Sequence, residues 1–300
     1  MAEERKRRRG DRKDAWLVRD LDAMHLFMPY MIPGRTANEA VLNEVIDLEA
    51  VNAYLEAKNA DGPEFRYTFF HVICAALAKA IALRPKMNYF ISGERLYERR
   101  ELNFAFVVKR QFTDASAEAL AMIAVDRDSD VSPVAQIHDK VQDFVFRTRA
   151  QNRSEGTTDK MNFLVKLPRW LLRFAVWCMY RMEAHGVLPA SLINDDPYHC
   201  TVFISNLGSI RMNASYHHLA NWGTNSLFVV VGEKHMHPFY APDGTCTVRE
   251  ALDLGFTIDE RIADGVYFSK TMRLVRHLLQ HPELLDAPVL QPVDLDLSLR

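Results

Sequence analysis

The stretch Leu254–Gly265, LGFTIDERIADG, constrains the chain more than any other. It reads as an alternating strand that runs into a tight turn, where Asp259, Glu260, Arg261 and Asp264 crowd together within six residues. Past Gly265, the residues Phe268, Met272, Val275 and Leu279 make one apolar stripe of a helix, and Pro282 follows it. Asp264 stands just before that helix, where an aspartate satisfies free N–H groups. Upstream, HCTVFISNLGS and SLFVVVGEK are further strands rich in β-branched residues.

The rest of the chain alternates between the two periods. NEVIDLEAVNAYLEAKNADG begins as a short strand and becomes a helix that Asp61-Gly62 ends. Thr68 caps a helix whose Val72, Ala76, Ala80 and Leu83 share a face, with Pro85 at its exit. ISGERLYERRELNFAFVV predicts a hairpin turning at Ser92-Gly93 and then a strand, and EALAMIAV predicts another. Ser132 and Pro133 open a helix that buries Val134, Ile137, Val141, Phe144 and Val145. No internal repeat is visible. This mixed order predicts an α/β sandwich with a sizeable sheet. The expected division is a basic disordered tail over 1–20, one domain over 21–290 with an apolar helical insertion at about 150–197, and a tail over 291–300.

Composition excludes some classes. With 48% hydrophobic and 25% charged residues the chain is globular, and a net charge of -2 argues against a whole-protein nucleic-acid binder. The opening MAEERKRRRGDRK has seven basic and three acidic residues but no apolar run, so it is read as a solvated tail rather than a secretory signal. Cysteines 74, 178, 200 and 246 include no C-x-x-C pair, which predicts neither disulfides nor zinc but a reduced, cytoplasmic protein with Cys74 and Cys178 as buried thiols. The apolar run over 163–184 is interrupted by Arg173 and bounded by Arg169 and Arg181, short of the roughly 20 apolar residues a spanning helix needs. Its Trp170, Phe174, Trp177 and Tyr180 are costly to leave in water, which predicts a core or subunit-interface helix. Docking on a membrane surface, helped by the three arginines, is the second reading.

Two motifs then line up. FISNLGS at 203–209 and DERIADG at 259–265 each end a strand, with SLFVVVGEK between them. The arrangement resembles the catalytic domain of the dihydrolipoyl acyltransferases of 2-oxo acid dehydrogenase complexes and, more distantly, chloramphenicol acetyltransferase. In the first family the strand ends in D-H-R-x-x-D-G and the upstream strand carries S-N-L-G. The likeness covers roughly 40–150 and 198–285. It implies a chloramphenicol acetyltransferase-like two-layer α/β sandwich with a mixed sheet, assembled as a homotrimer or a larger cage, with other 2-oxo acid dehydrogenase components as candidate partners. It also implies coenzyme A, carried as acyl-CoA substrate, and no metal. No D-K-A lipoylation motif is present, so no lipoyl attachment site is expected in this chain. By the same resemblance, Ser205 stabilises the tetrahedral oxyanion and Asp264 holds the site together. The position of the general-base histidine is Glu260.

That substitution is chemically large. Imidazole ionises at about 6.5 and a glutamate side chain at about 4.3; against a thiol near 8.5 the mismatches are about two and about four units. The difference, about two units, costs on the order of a hundredfold in proton-transfer driving force. His218, next to His217 in ASYHHLANWG, is the candidate for a relocated base that Glu260 would orient. His235 and His237 have metal-like H-x-H spacing, but no metal is expected there. The expected function is a CoA-dependent acyltransferase with altered or lost catalysis. The alternatives are an inactive trimeric or cage-forming scaffold and a module that binds CoA or an acyl thioester.

Overall fold

The β-branched runs become strands, and the segments with 3.6-residue periodicity become helices laid against them. In chain order the elements are β1 (Ala15–Leu17), α1 (Ala23–Met31), β2 (Glu39–Asp47), α2 (Glu49–Lys58), α3 (Phe69–Leu83), β3 (Tyr89–Ser92), β4 (Arg95–Arg99), β5 (Leu102–Lys109) and β6 (Glu118–Val125). There follow α4 (Pro133–Ala150), α5 (Arg169–Ala184), α6 (Ala190–Ile193), β7 (Val202–Asn206), β8 (Leu227–Tyr240), β9 (Cys246–Asp259) and α7 (Gly265–Gln280). This computed structural model describes residues 5–109, 118–150, 166–193 and 196–298. The parts of the predicted insertion at 151–165 and 194–195 lie outside the described residues.

Six strands form one sheet in the order β2-β9-β8-β7-β5-β6, and β1-β4-β3 form a smaller one. The large sheet is mixed: β7 runs parallel to both β5 and β8, while the pairings β2–β9, β8–β9 and β5–β6 are antiparallel. Alternation gives the central part of the sheet two buried sides. Val202, Ile204, Val229, Leu254, Phe256 and Ile258 join α3 and α7 in the main core. Phe203, Phe228, Val230 and Ala105 face the other way and form a second cluster closed by Leu219. A sheet covered on both faces explains why these strands read as near-continuous apolar runs.

The helix starts follow their sequence signals. Ser132 Oγ accepts the Ala135 amide, and Thr68 and His71 complete a capping box at the head of α3. Asp264 Oδ1 accepts the Tyr267 amide at 2.8 Å and so caps α7. That hydrogen bond from a backbone amide is the main reason the Asp264 carboxyl sits below the usual carboxylate range.

Two expectations change. From Asp11 onward the amino-terminal segment is built into the fold rather than disordered: β1 pairs with β4, and Asp11 and Arg12 are buried. The physical reason is that its charges find partners. Arg12 pairs with Asp14 at 2.9 Å and with Glu183 at 3.0 Å, and Asp11 accepts the Leu17 amide and pairs with Arg19. The apolar helix α5 is not a core helix either, since its one buried residue is Glu183 and Cys178 is only half-buried. No helix among the described residues is long and apolar enough to cross a membrane.

Candidate active site

The charge-crowded turn separates into three environments. Asp259 and Arg261 are buried and form a forked ion pair, with Nε to Oδ1 at 2.8 Å and the second bond at 2.6 Å. A second buried guanidinium, Arg35, lies 3.6 Å from the same carboxylate. Arg261 donates to the Ile32 and Pro33 carbonyls, and Arg35 donates to those of Ala220, Ile91 and Gly223. The cluster therefore fastens the end of β9 to two loops. Burial pulls the Arg35 pKa down to about 10, against the opposing pull of Asp259. Asp264, exposed, is the helix cap. Glu260 is the residue left facing solvent without a structural partner among the described hydrogen bonds and ion pairs.

Glu260 opens onto a cleft of about 720 Å³ between α7 and the edge strand β2, where Leu42, Asp264, Phe268 and Arg276 also contribute. This is the main-core side of the sheet. Ser205 lies on the opposite side: Val202 and Ile204 point into the main core, so Phe203 and Ser205 do not. Ser205 is half-buried and stands beside Val230 of β8.

That second side is crossed by an extended strap over 211–224. The strap can lie flat only because glycines sit beneath it. A Cβ at Gly232 would come within 2.5 Å of the Ala214 amide nitrogen, and one at Gly255 within 2.5 Å of the Ser215 carbonyl oxygen. Further along, His217 stacks on Phe228 at 4.3 Å and Phe228 stacks on Phe203 at 4.9 Å. The His217 Nδ1–H donates to the His218 carbonyl at 2.9 Å. Thr36 donates to the Leu219 carbonyl, and the Leu219 amide donates to Glu39, which lies opposite Asp259 on β2.

The sequence-derived residues thus fall into two half-sites. Val202, Leu227 and Ile258 lie at one level of the sheet; Ser205 is three residues above it and Glu260 two below. Five residue steps and two strand spacings place the two backbones roughly 17–20 Å apart, and their side chains leave opposite faces. His218 is exposed on the strap, and among the described residues no hydrogen bond or ion pair joins it to Glu260. The structure does not form the His218–Glu260 pair within one chain. His235 and His237 share one side of β8, but among the described residues no group of three His, Cys, Asp or Glu is placed to hold a metal.

A buried ionic chain, not legible in the sequence, lies beneath α5. His199, 2% exposed, pairs through Nε2 with Glu183 at 3.1 Å and through Nδ1 with Asp196 at 3.0 Å. Glu183 also meets Arg12, and Asp196 accepts the Trp222 indole N–H at 2.6 Å. A lone carboxylate in an apolar helix is the signal that could have pointed to it. Burial alone would depress the His199 pKa, but the two carboxylates outweigh it and hold the pKa above its ordinary 6.5. Glu183 is likewise held below its ordinary 4.5: burial works against this, and the hydrogen bond from His199 and the charge of Arg12 win.

These directions set a pH window. A raised histidine pKa contributes stability that is fully present below about pH 6.5 and is lost as pH rises through the folded value. A depressed carboxylate contributes stability above about pH 4.5 and loses it as pH falls through its folded value. Thermal melts should therefore show the tether at full strength between these limits. His199→Gln should flatten the decline of Tm above pH 6.5; an unchanged slope would show that His199 does not carry it.

No protein-family profile matches the chain, and no curated protein matches it in sequence. The fold is nevertheless chloramphenicol acetyltransferase-like. A probable dihydrolipoamide acetyltransferase from Listeria monocytogenes superposes with a TM-score of 0.56 at 13% identity, covering 94% of this chain and 98% of that one. The dihydrolipoamide acetyltransferase of Azotobacter vinelandii gives 0.56 at 16% identity, over 89% and 93% of the two chains. Chloramphenicol acetyltransferase itself gives 0.53 at 10% identity, over 88% and 99%. The fold expected from the S-N-L-G and D-E-R motifs is the fold observed.

Proposed function

We propose that the chain is a CoA-dependent acyltransferase whose active site is shared between copies, Ser205 coming from one and Glu260 from its neighbour. The observation that carries this reading is the separation of the two half-sites. Residues roughly 17–20 Å apart on opposite faces of a sheet cannot act on one carbonyl within one chain. A symmetric homotrimer supplies the missing half to each site, and larger assemblies of such trimers, or association with 2-oxo acid dehydrogenase components, are compatible with it. The cytoplasm suits the chain, whose four cysteines are free thiols.

In this site the acceptor's S–H or O–H gives its proton to the Glu260 carboxylate as the acceptor attacks the thioester carbonyl of acyl-CoA. The Ser205 hydroxyl donates to the resulting oxyanion. Collapse expels the CoA sulfur, which takes the proton back from Glu260. Asp264 acts by holding the start of α7, and with it the turn that carries Glu260. His218, on the same side as Ser205, is the second candidate base.

The test is CoA release from a panel of acyl-CoAs with thiol, hydroxyl and amine acceptors. Turnover is expected, with loss of about 10²–10⁴-fold in Glu260→Gln, the usual contribution of a general base. Co-assembled Ser205→Ala and Glu260→Gln chains should regain activity, since mixed interfaces restore some intact sites. If the wild-type chain binds CoA without turnover, the binding-module reading replaces this one. Neither binding nor turnover in a high-order assembly would favour the scaffold.

A further inference from the structure

We infer that α5 and the neighbouring α1 dock the protein on an anionic lipid surface. Helix α5 sets Trp170, Phe174 and Trp177 at i, i+4 and i+7, with exposures of 71%, 57% and 59%. The Phe174 and Trp177 rings stack on one another at 6.0 Å rather than on the protein. Helix α1 repeats the pattern, with Met24, Phe27 and Met31 at i, i+3 and i+7, all at least 60% exposed. Pro29 of α1 and Tyr180 of α5 line one cleft of about 310 Å³, so the two helices are neighbours.

Charge selects the occupant. Arg169, Arg173 and Arg181 are exposed on α5. Its single acidic residue, Glu183, is buried and taken up by Arg12 and His199. The exposed surface of α5 therefore carries three cations and no anion. On α1, the Asp22 carboxylate is engaged by His25 and by two backbone amides. The basic run Arg5–Arg9 is exposed and leads into Arg12, whose side chain lies against Gly186 just beyond α5. Aromatic side chains on one stripe with arginines beside them, and no acid, are the pattern of a helix lying in the headgroup layer. A contact between two copies of this surface would instead bring like charges together. At about 1.5 Å per residue, the 16 residues of α5 extend about 24 Å, short of the roughly 30 Å hydrocarbon core, so the helix lies along the surface.

The experiment is co-sedimentation of the full chain with vesicles of phosphatidylcholine alone or mixed with phosphatidylglycerol, across a salt series. Partitioning onto the anionic vesicles only, weakening as salt rises, is expected. Trp170→Ser with Trp177→Ser should weaken it at least about tenfold, as should replacing Arg169, Arg173 and Arg181 by Gln. Both variants should keep the wild-type circular dichroism and Tm, because the altered side chains are exposed. Equal binding to both vesicle types, no binding, or tryptophan variants that bind as well as wild type would each overturn the inference. Dissociation of an oligomer by Trp177→Ser, without vesicle binding by the wild type, would assign the surface to a contact between copies.

Discussion

Asp259→Ala should destabilise the protein by about 3–5 kcal/mol, the cost of breaking a buried ion pair from one side. The carboxylate is fully buried between Arg261 and Arg35, and those two guanidiniums share it as their anion. Removing it leaves two buried positive charges facing each other. At roughly 2–4 °C per kcal/mol for a chain of this size, Tm should fall by roughly 6–20 °C. Damage should spread to the strap and to loop 32–35, because Arg35 and Arg261 hold both through backbone carbonyls. Glu260→Ala is the control one residue away: its side chain is exposed, so stability should stay within about 0.5 kcal/mol. Equal effects of the two substitutions in denaturant unfolding would refute the division of the turn into a structural pair and a free carboxylate.

Glu260→His should produce the second large effect, a gain. An imidazole is better matched to a thiol than a carboxylate is by about two pKa units, so acyl transfer to a thiol should accelerate by up to about 10²-fold in kcat/KM. Exposure of residue 260 on the cleft between α7 and β2 leaves room for the ring without repacking. The rise should vanish when Ser205→Ala is placed in the same chain, since the oxyanion then loses its donor. An unchanged rate would put residue 260 outside the chemistry and favour the non-catalytic assembly.

Much of this architecture was legible in the residues. The Ser132 and Asp264 caps, the stripes of α3, α4 and α7, and the β-branched strands were readable because each rests on contacts within a few positions. The S-N-L-G and D-E-R turns carried the fold at 10–16% identity to solved structures. Other features were not local. The basic opening segment looked solvated because its partners, Glu183 and the edge of β4, lie far along the chain. Helix α5 left core, subunit contact and membrane surface open because its apolar composition is the same whichever partner covers it. The chain Glu183–His199–Asp196 was invisible because three titratable residues at irregular spacing meet only after the fold closes.

The stretch LGFTIDERIADG marks the boundary between the two kinds of information. A strand, a turn and a capped helix can be read from these twelve residues alone, since alternation, turn chemistry and capping are short-range effects. The same residues put glutamate rather than histidine at position 260. That Asp259 and Arg261 are structural while Glu260 is free follows from the closed fold. That outcome depends on which side of β9 is covered: a strap some 40 residues upstream and Arg35, more than 200 residues upstream, close over one side, and the edge cleft leaves the other open.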